Sequence, residues 1–231
     1  MRTMLRVSAA IIGLQALLRI GPIVVLAIGG QGLPPPDSYN DPAHALAIIG
    51  SSPAVIVVAG LICATGAGQV FVVLALAERL KQSEPRWISL SVAFGIISAS
   101  FLMFDGAIGI TALPQLAHMD VRQPMVDGAY LATLGLRNGI DRVIPLTLGI
   151  WALPAHFPAG LHRRLPRVLT ATGFALGAVG VVAVVLPAAG LASLILAIGW
   201  TAGFAIVLFR ESGDPRASGR GPAPSTPVLS R

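Results

Sequence analysis

Apolar positions fall in six long runs, at about 7–28, 53–80, 87–113, 129–157, 168–186 and 191–209, separated by polar or Pro/Gly-rich links. Runs of ~18 or more apolar residues exceed what a buried core helix needs and match the thickness of a bilayer. The pattern predicts an all-α, polytopic integral membrane protein, a six-transmembrane-helix bundle. The link GGQGLPPPDSY after the first run cannot be helical throughout, because consecutive prolines remove donors and clash with a preceding turn. Asp41 then caps a short helix, DPAHALAIIG, with Pro42 in its first turn, placed near the outer interface. KQSEPR joins spans two and three, 114–128 reads as a polar outer link, and FPAGLHRRLPR as a basic turn. Residues 187–190 make a tight outer turn. From Arg210 onward Pro, Gly, Ser and Arg dominate, so 210–231 reads as a disordered basic cytoplasmic tail.

Composition agrees. Of 231 residues, 55% are hydrophobic and 11% charged, with a mean hydropathy of +0.80. A soluble domain carries roughly a quarter charged residues, so an ordinary water-soluble fold is excluded. The single cysteine, Cys63, lies in an apolar run and leaves no intrachain disulfide or Cys-based zinc site. Arg2 and Arg6 before 7–18 resemble a signal peptide. Arg19 interrupts, however, the run resumes through Ile28, and no A-x-A pattern follows; a retained first span is expected.

The charge pattern sets orientation. Of the 16 lysines and arginines, 12 lie at the N-terminus, in the 79–86 link, in the 163–167 turn and in the tail. The opposite links hold Arg122 beside Asp37, Asp41, Asp120 and Asp127. Six spans place all four basic segments on one side, the cytoplasm, together with both termini. A net charge of +6 in a soluble protein would point to nucleic acid. Here the basic residues flank spans without interleaved aromatics, so the expected partner is the lipid bilayer and no nucleic acid is expected.

Inside lipid, helices associate by close packing, and small residues four apart mark candidate faces. They are Gly60, Ala64 and Gly68 on span two and Ser91, Gly95 and Ala99 on span three. Gly173 and Gly177 mark span five, and Gly199 and Gly203 span six. These read as faces within the bundle; contacts with other membrane proteins or a homo-oligomer are the alternative use.

One constellation could carry chemistry: Arg19, Asp105, Arg137, Asp141 and Arg142 all fall at membrane depth. An unpaired charge at the bilayer centre costs at least ~2.5–3.5 kcal/mol, so each needs a partner or water. At 1.5 Å per residue, Arg19 lies ~18 Å and Asp105 ~27 Å above the inner end of their spans, and Arg137 ~12 Å and Asp141 ~18 Å below the outer end of theirs. All five gather between mid-membrane and the outer surface. Arg137 and Asp141, four apart, can pair within their helix, which leaves Asp105 as counter-ion for Arg19 or Arg142. Two arrangements satisfy this pattern. One is a closed ion-pair network; the other is an outward-open pocket for a carboxylate, phosphate or lipid headgroup, which arginine's planar fork suits.

Other polar residues say less. His44, His118, Asp37, Asp41 and Asp120 share the outer side without metal-ligand spacing, so no metal or cofactor is expected. His156 and His162 flank the basic turn and are expected to be solvated. Gln15 and Gln69 read as interhelical hydrogen-bonding amides. No nucleophile elbow, zinc-protease, P-loop or dinucleotide pattern is present.

The order of parts resembles an uncharacterised bacterial six-span membrane family, domain of unknown function 4386. The likeness covers about residues 5–210 and rests on DPAHALAIIG, the span ending LALAERLK, the stretch LGIWALPAHFPAGLHRRLPRVLTATGFALGAVG and the ending ILAIGWTAGFAIVLFR. The resemblance implies the six-span fold and no activity. The expectation is a non-enzymatic accessory, assembly or sensor protein of the cytoplasmic membrane. Its alternative is a small carrier or binder of an anionic ligand or lipid through the Arg/Asp cluster.

Overall fold

The computed structural model describes residues 2–28, 41–81, 85–119, 123–162 and 164–213. Every element among them is a helix: α1 Arg2–Ile28, α2 Pro42–Ser51, α3 Pro53–Leu80, α4 Pro85–Ile110, α5 Ala112–Ala117, α6 Gln123–Leu161, α7 Arg167–Val182 and α8 Ala188–Gly213. The all-α expectation holds. Five of them, within α1, α3, α4–α5, α6 and α8, are long and apolar enough to cross a membrane. The helix α7 has 16 residues, about 24 Å at the usual rise.

The six longer helices form a ring in the order α1–α3–α4–α6–α7–α8, closing back on α1. Register contacts show that successive helices run antiparallel. Gly68 meets Gln15 while Gly21 meets Leu61; Gly95 meets Val73 while Gly106 meets Ala59 and Cys63. Trp87 and Phe157 have ring centroids 5.7 Å apart, so α4 and α6 are level there. The short α2 and α5 close one end of the ring over a small apolar cluster containing Leu46, Ile49, Leu113, Leu116 and Tyr130. Asp41 caps α2 as expected, its carboxylate accepting from the His44 amide at 3.1 Å.

At the other end the interior is filled by Val72, Val73, Leu76, Trp151, Leu176, Trp200 and Phe204. Trp151 and Trp200 meet edge to face at 5.5 Å, and Trp200 Nε1 donates to the Leu169 carbonyl at 3.1 Å. The same end is tied by Arg79, which pairs with Glu211 and donates to the Arg164 carbonyl at 3.2 and 3.3 Å. The ends of α3 and α8 and the α6–α7 turn therefore share one face. Large apolar side chains such as Leu17, Phe71, Leu74, Leu131, Ile195 and Phe209 stay exposed around the outside, as lipid-facing positions do.

Several sequence expectations change. Residues 114–128 are not a continuous polar link: α5 occupies part of them, and α6 starts at Gln123, six residues before the expected span. Likewise α8 runs to Gly213, into the stretch read as tail, because Glu211 is held by Arg79. The remaining tail lies outside the described residues, as do Asp37, Asp120 and Arg122. Of the small-residue faces, Gly68, Gly95, Gly173, Gly177 and Gly203 each have a neighbour where a Cβ would sit. Ala99 is buried, and Ser91 is buried and donates to the Trp151 carbonyl at 3.0 Å. Gly60 and Gly199 face open space, and Ala64 is half-buried. The seam between α3 and α4 instead runs along Ala59, Cys63 and Gly66, against Ala99, Met103, Gly106 and Gly109.

Candidate functional site

Above the aromatic core the ring is not filled. A cavity of about 420 Å³ lies there, lined by five helices and the turn before α8. Its polar lining is Arg19 on α1, Thr65 on α3, Asp105 on α4, Asp141 on α6 and Ser193 on α8. Most of its other walls are apolar, including Ile23, Ile62, Leu102, Ile144, Leu148 and Leu194. No residue of α7 lines it. The contact of α7 with α6 reaches Pro145 through Gly180, so the part of α6 that precedes Pro145 extends beyond α7. Asp141, Pro187 and Leu191 are exposed at that gap, which makes it the mouth of the cavity.

Four of the five candidate charges separate into two groups, and Arg142 joins neither. Asp105 is buried and takes a bidentate contact from Arg137, with Nε to Oδ1 at 2.7 Å and Nη2 to Oδ2 at 3.1 Å. Counting from the Trp87–Phe157 level, Asp105 is eighteen residues up α4 and Arg137 twenty residues up α6. The two thus meet at ~27–30 Å. Asp105 is therefore the counter-ion of Arg137, not of Arg19 or Arg142, and Arg137 pairs across helices rather than with Asp141. Asp141 sits one turn below and lies within the field of both Asp105 and Arg137. Arg142 is exposed and does not line the cavity. Counted from Gln123, the observed start of α6, Arg137 lies ~21 Å along the helix rather than the ~12 Å counted from residue 129.

Arg19 is held differently. It is 6% exposed and takes part in none of the ion pairs among the described residues. Gln69 Oε1 accepts from its Nη2 at 2.5 Å. With the Gln15 amide turned so that its oxygen faces the guanidinium, Oε1 accepts from Nε at 2.8 Å and from Nη2 at 3.2 Å. Gln15 lies one turn before Arg19 on α1, and Gly68 leaves the room in which Gln15 packs. The two amides read as interhelical bonds are thus a cradle for Arg19. They orient the cation without neutralising it. Nη1 makes no protein hydrogen bond among the described residues and belongs to a side chain that lines the cavity.

Two buried donors add to this. Among the described residues, Ser193 Oγ lines the cavity without a partner, and Gln69 Nε2 beside Arg19 also has none. Buried polar atoms are nearly always paired, so such groups ask for an explanation. Register gives the depth: Gln69 lies between the α3 residues facing Gly95 and Ala99, which puts the Arg19 cradle roughly 10 Å below Asp105. Arg19 is the floor, Asp105 and Asp141 form the rim, and Arg137 stands behind Asp105 as its partner.

His156 corrects another expectation. It is fully buried, with its Nδ1 2.8 Å from the Ala152 carbonyl oxygen and its ring edge-on to Trp200 at 5.2 Å. Helix α6 continues past it to Leu161, and Gly173 makes space for the ring. Among the described residues no group of three or more His, Cys, Asp or Glu lies close enough to hold a metal.

Comparison of the chain with protein-family models, with curated proteins and with solved structures gives no match.

Proposed function

We propose that the chain is a non-enzymatic, multi-pass protein of the cytoplasmic membrane that crosses it six times, with both termini in the cytoplasm. It binds a small amphiphile whose anionic head meets Arg19, and it acts as a carrier or sensor of that molecule. The observation that carries this reading is a buried arginine with no counter-ion among the described residues, at the floor of a largely apolar cavity. An isolated buried charge is expensive, and two amide oxygens orient it without cancelling it. A ligand anion would supply the missing charge. The cavity volume of about 420 Å³ falls within the range of ~300–1,000 Å³ usual for small-molecule sites. The rim pair Asp105–Arg137 serves the second reading of these charges, a lock between α4 and α6. The two readings are complementary because they use different residues.

The test is thermal unfolding of the purified protein in nonionic detergent, titrated with dodecyl phosphate, with dodecanol as the uncharged control. The phosphate is expected to raise the melting temperature saturably, the alcohol not, and Arg19→Gln to remove the effect. An equal response in Arg19→Gln would overturn the reading.

A further inference from the structure

The cavity is dipolar, and this bears on the chemistry of its occupant. Its floor carries the charge of Arg19. At the rim Asp105 is neutralised by Arg137, whereas the Asp141 carboxylate has no hydrogen bond or ion pair among the described residues. The rim group of Asp105, Arg137 and Asp141 thus sums to one negative charge, opposite one positive charge at the floor. From the Trp87–Phe157 level Asp141 is ~24 Å up and the Arg19 cradle ~16 Å, so the two poles differ by roughly 8 Å in height. A purely anionic ligand seated on Arg19 would be repelled by Asp141 at the mouth. A cation seated on Asp141 would leave Arg19 uncompensated.

Resting on the reading of Arg19 as the anion-binding group, we infer that the ligand is zwitterionic and amphiphilic, with an anionic group for Arg19 and an ammonium for Asp141. Ser193 Oγ, buried on the cavity wall and without a partner among the described residues, supplies a neutral hydrogen bond to the head. Ile62, Leu102, Ile144 and Leu148 take the apolar part. An aminophospholipid from the bilayer and a water-borne phosphoamine share this head chemistry.

Three probes separate the possibilities: lauroyl lysophosphatidylethanolamine, the anion-only lauroyl lysophosphatidic acid, and chain-free phosphoethanolamine. Affinities are measured on the full chain in nonionic detergent. The wild type is expected to prefer the zwitterionic lipid to the acid by roughly tenfold, the scale of one charge-assisted contact. Asp141→Asn is expected to weaken the zwitterion by a similar factor and to strengthen the acid. Arg19→Gln weakens both. A wild type that prefers the acid, or an Asp141→Asn variant that binds the zwitterion as well as before, overturns the zwitterion inference and leaves the Arg19 reading standing. If Arg19→Gln changes neither affinity, both fall. The wild-type preference needs no variant to fold. Binding of phosphoethanolamine as tight as that of the lysolipid shows that the apolar wall adds nothing and overturns the amphiphilic part of the inference. Binding of the lysolipid alone supports it with a lipid source.

Discussion

At the scale of single residues, the two acidic side chains of the rim should behave differently when neutralised. Asp105 is buried and Arg137 is about a quarter exposed, their side-chain exposures being 3% and 24%. Removing one partner of a fully buried pair costs ~3–5 kcal/mol because it strands the other charge. For Asp105→Asn the cost should be smaller, on the order of 2 kcal/mol, since Arg137 can reach water. Thermal unfolding in detergent should show a clear drop for Asp105→Asn and recovery in Asp105→Asn/Arg137→Gln; no recovery would mean that the pair is not the lock it is drawn as. Asp141→Asn should leave stability nearly unchanged, because Asp141 has no ion pair to lose among the described residues. The sequence made all five charges conspicuous, since charges are rare in such apolar surroundings. Their pairing was not legible, because which arginine reaches Asp105 depends on the register of α4 against α6. That register is set by contacts such as Trp87 on Phe157, far from the charges themselves. Gln15 and Gln69 were recognisable as polar, but their joint purpose needs the α1–α3 register as well.

At the scale of elements, close approach is governed by a few glycines. A Cβ at Gly180 would sit 3.0 Å from the Gly149 Cα and would strike the Pro145 carbonyl oxygen. Backbone cannot move aside as a flexible side chain does, so Gly180→Ala should separate α6 from α7. The cost should be about 1–3 kcal/mol, the range of overpacking. Gly199→Ala, which faces open space, should be neutral or stabilising by up to ~1 kcal/mol through helix propensity. Melting temperatures of the two variants measured side by side check this; similar values would mean that the α6–α7 seam is looser than drawn. The extents of α3 and α2 were legible, since Pro53 and the Asp41–Pro42 cap mark their starts. The interhelical faces were not. Ala59, Cys63 and Gly66, four and three apart, share a helix face just as Gly60, Ala64 and Gly68 do at four and four, and in a chain with 26 glycines spacing alone does not choose between them. The length of α6 was obscured by Gln123–Asp127, whose polar residues look like a link yet wind as helix, with Gln123 Nε2 donating to Asp127 Oδ1 at 2.9 Å.

At the scale of the whole molecule the six-span arrangement turns on α7 crossing the bilayer. Its assigned length of about 24 Å is short of a hydrocarbon core of ~30 Å. The backbone keeps winding beyond Val182, though: the amides of Ala183, Val184, Val185 and Leu186 bond to carbonyls three or four residues back. From Arg167 to Leu186 the coil then spans ~30 Å. Arg79 already ties the ends of α3 and α8 to the α6–α7 turn on one face, and that face carries Lys81, Arg86, Arg164, Arg167 and Arg210. An α7 that failed to cross would leave Pro187–Gly190 on the basic face and force α8 to end on the other. The prediction is direct. In a Cys63→Ala background, cysteines at Gln115 and Ala188 should react with an impermeant maleimide from outside intact cells, and one at His162 only after permeabilisation. Should Ala188→Cys react like His162→Cys, α7 turns back and the six-span arrangement is lost. The gap between α6 and α8 would then face the cytoplasm-side path of the chain instead of the outer surface. Labelling at Ala188 from outside places the mouth of the cavity, and with it Asp141, on the side where no basic segment of the described chain lies.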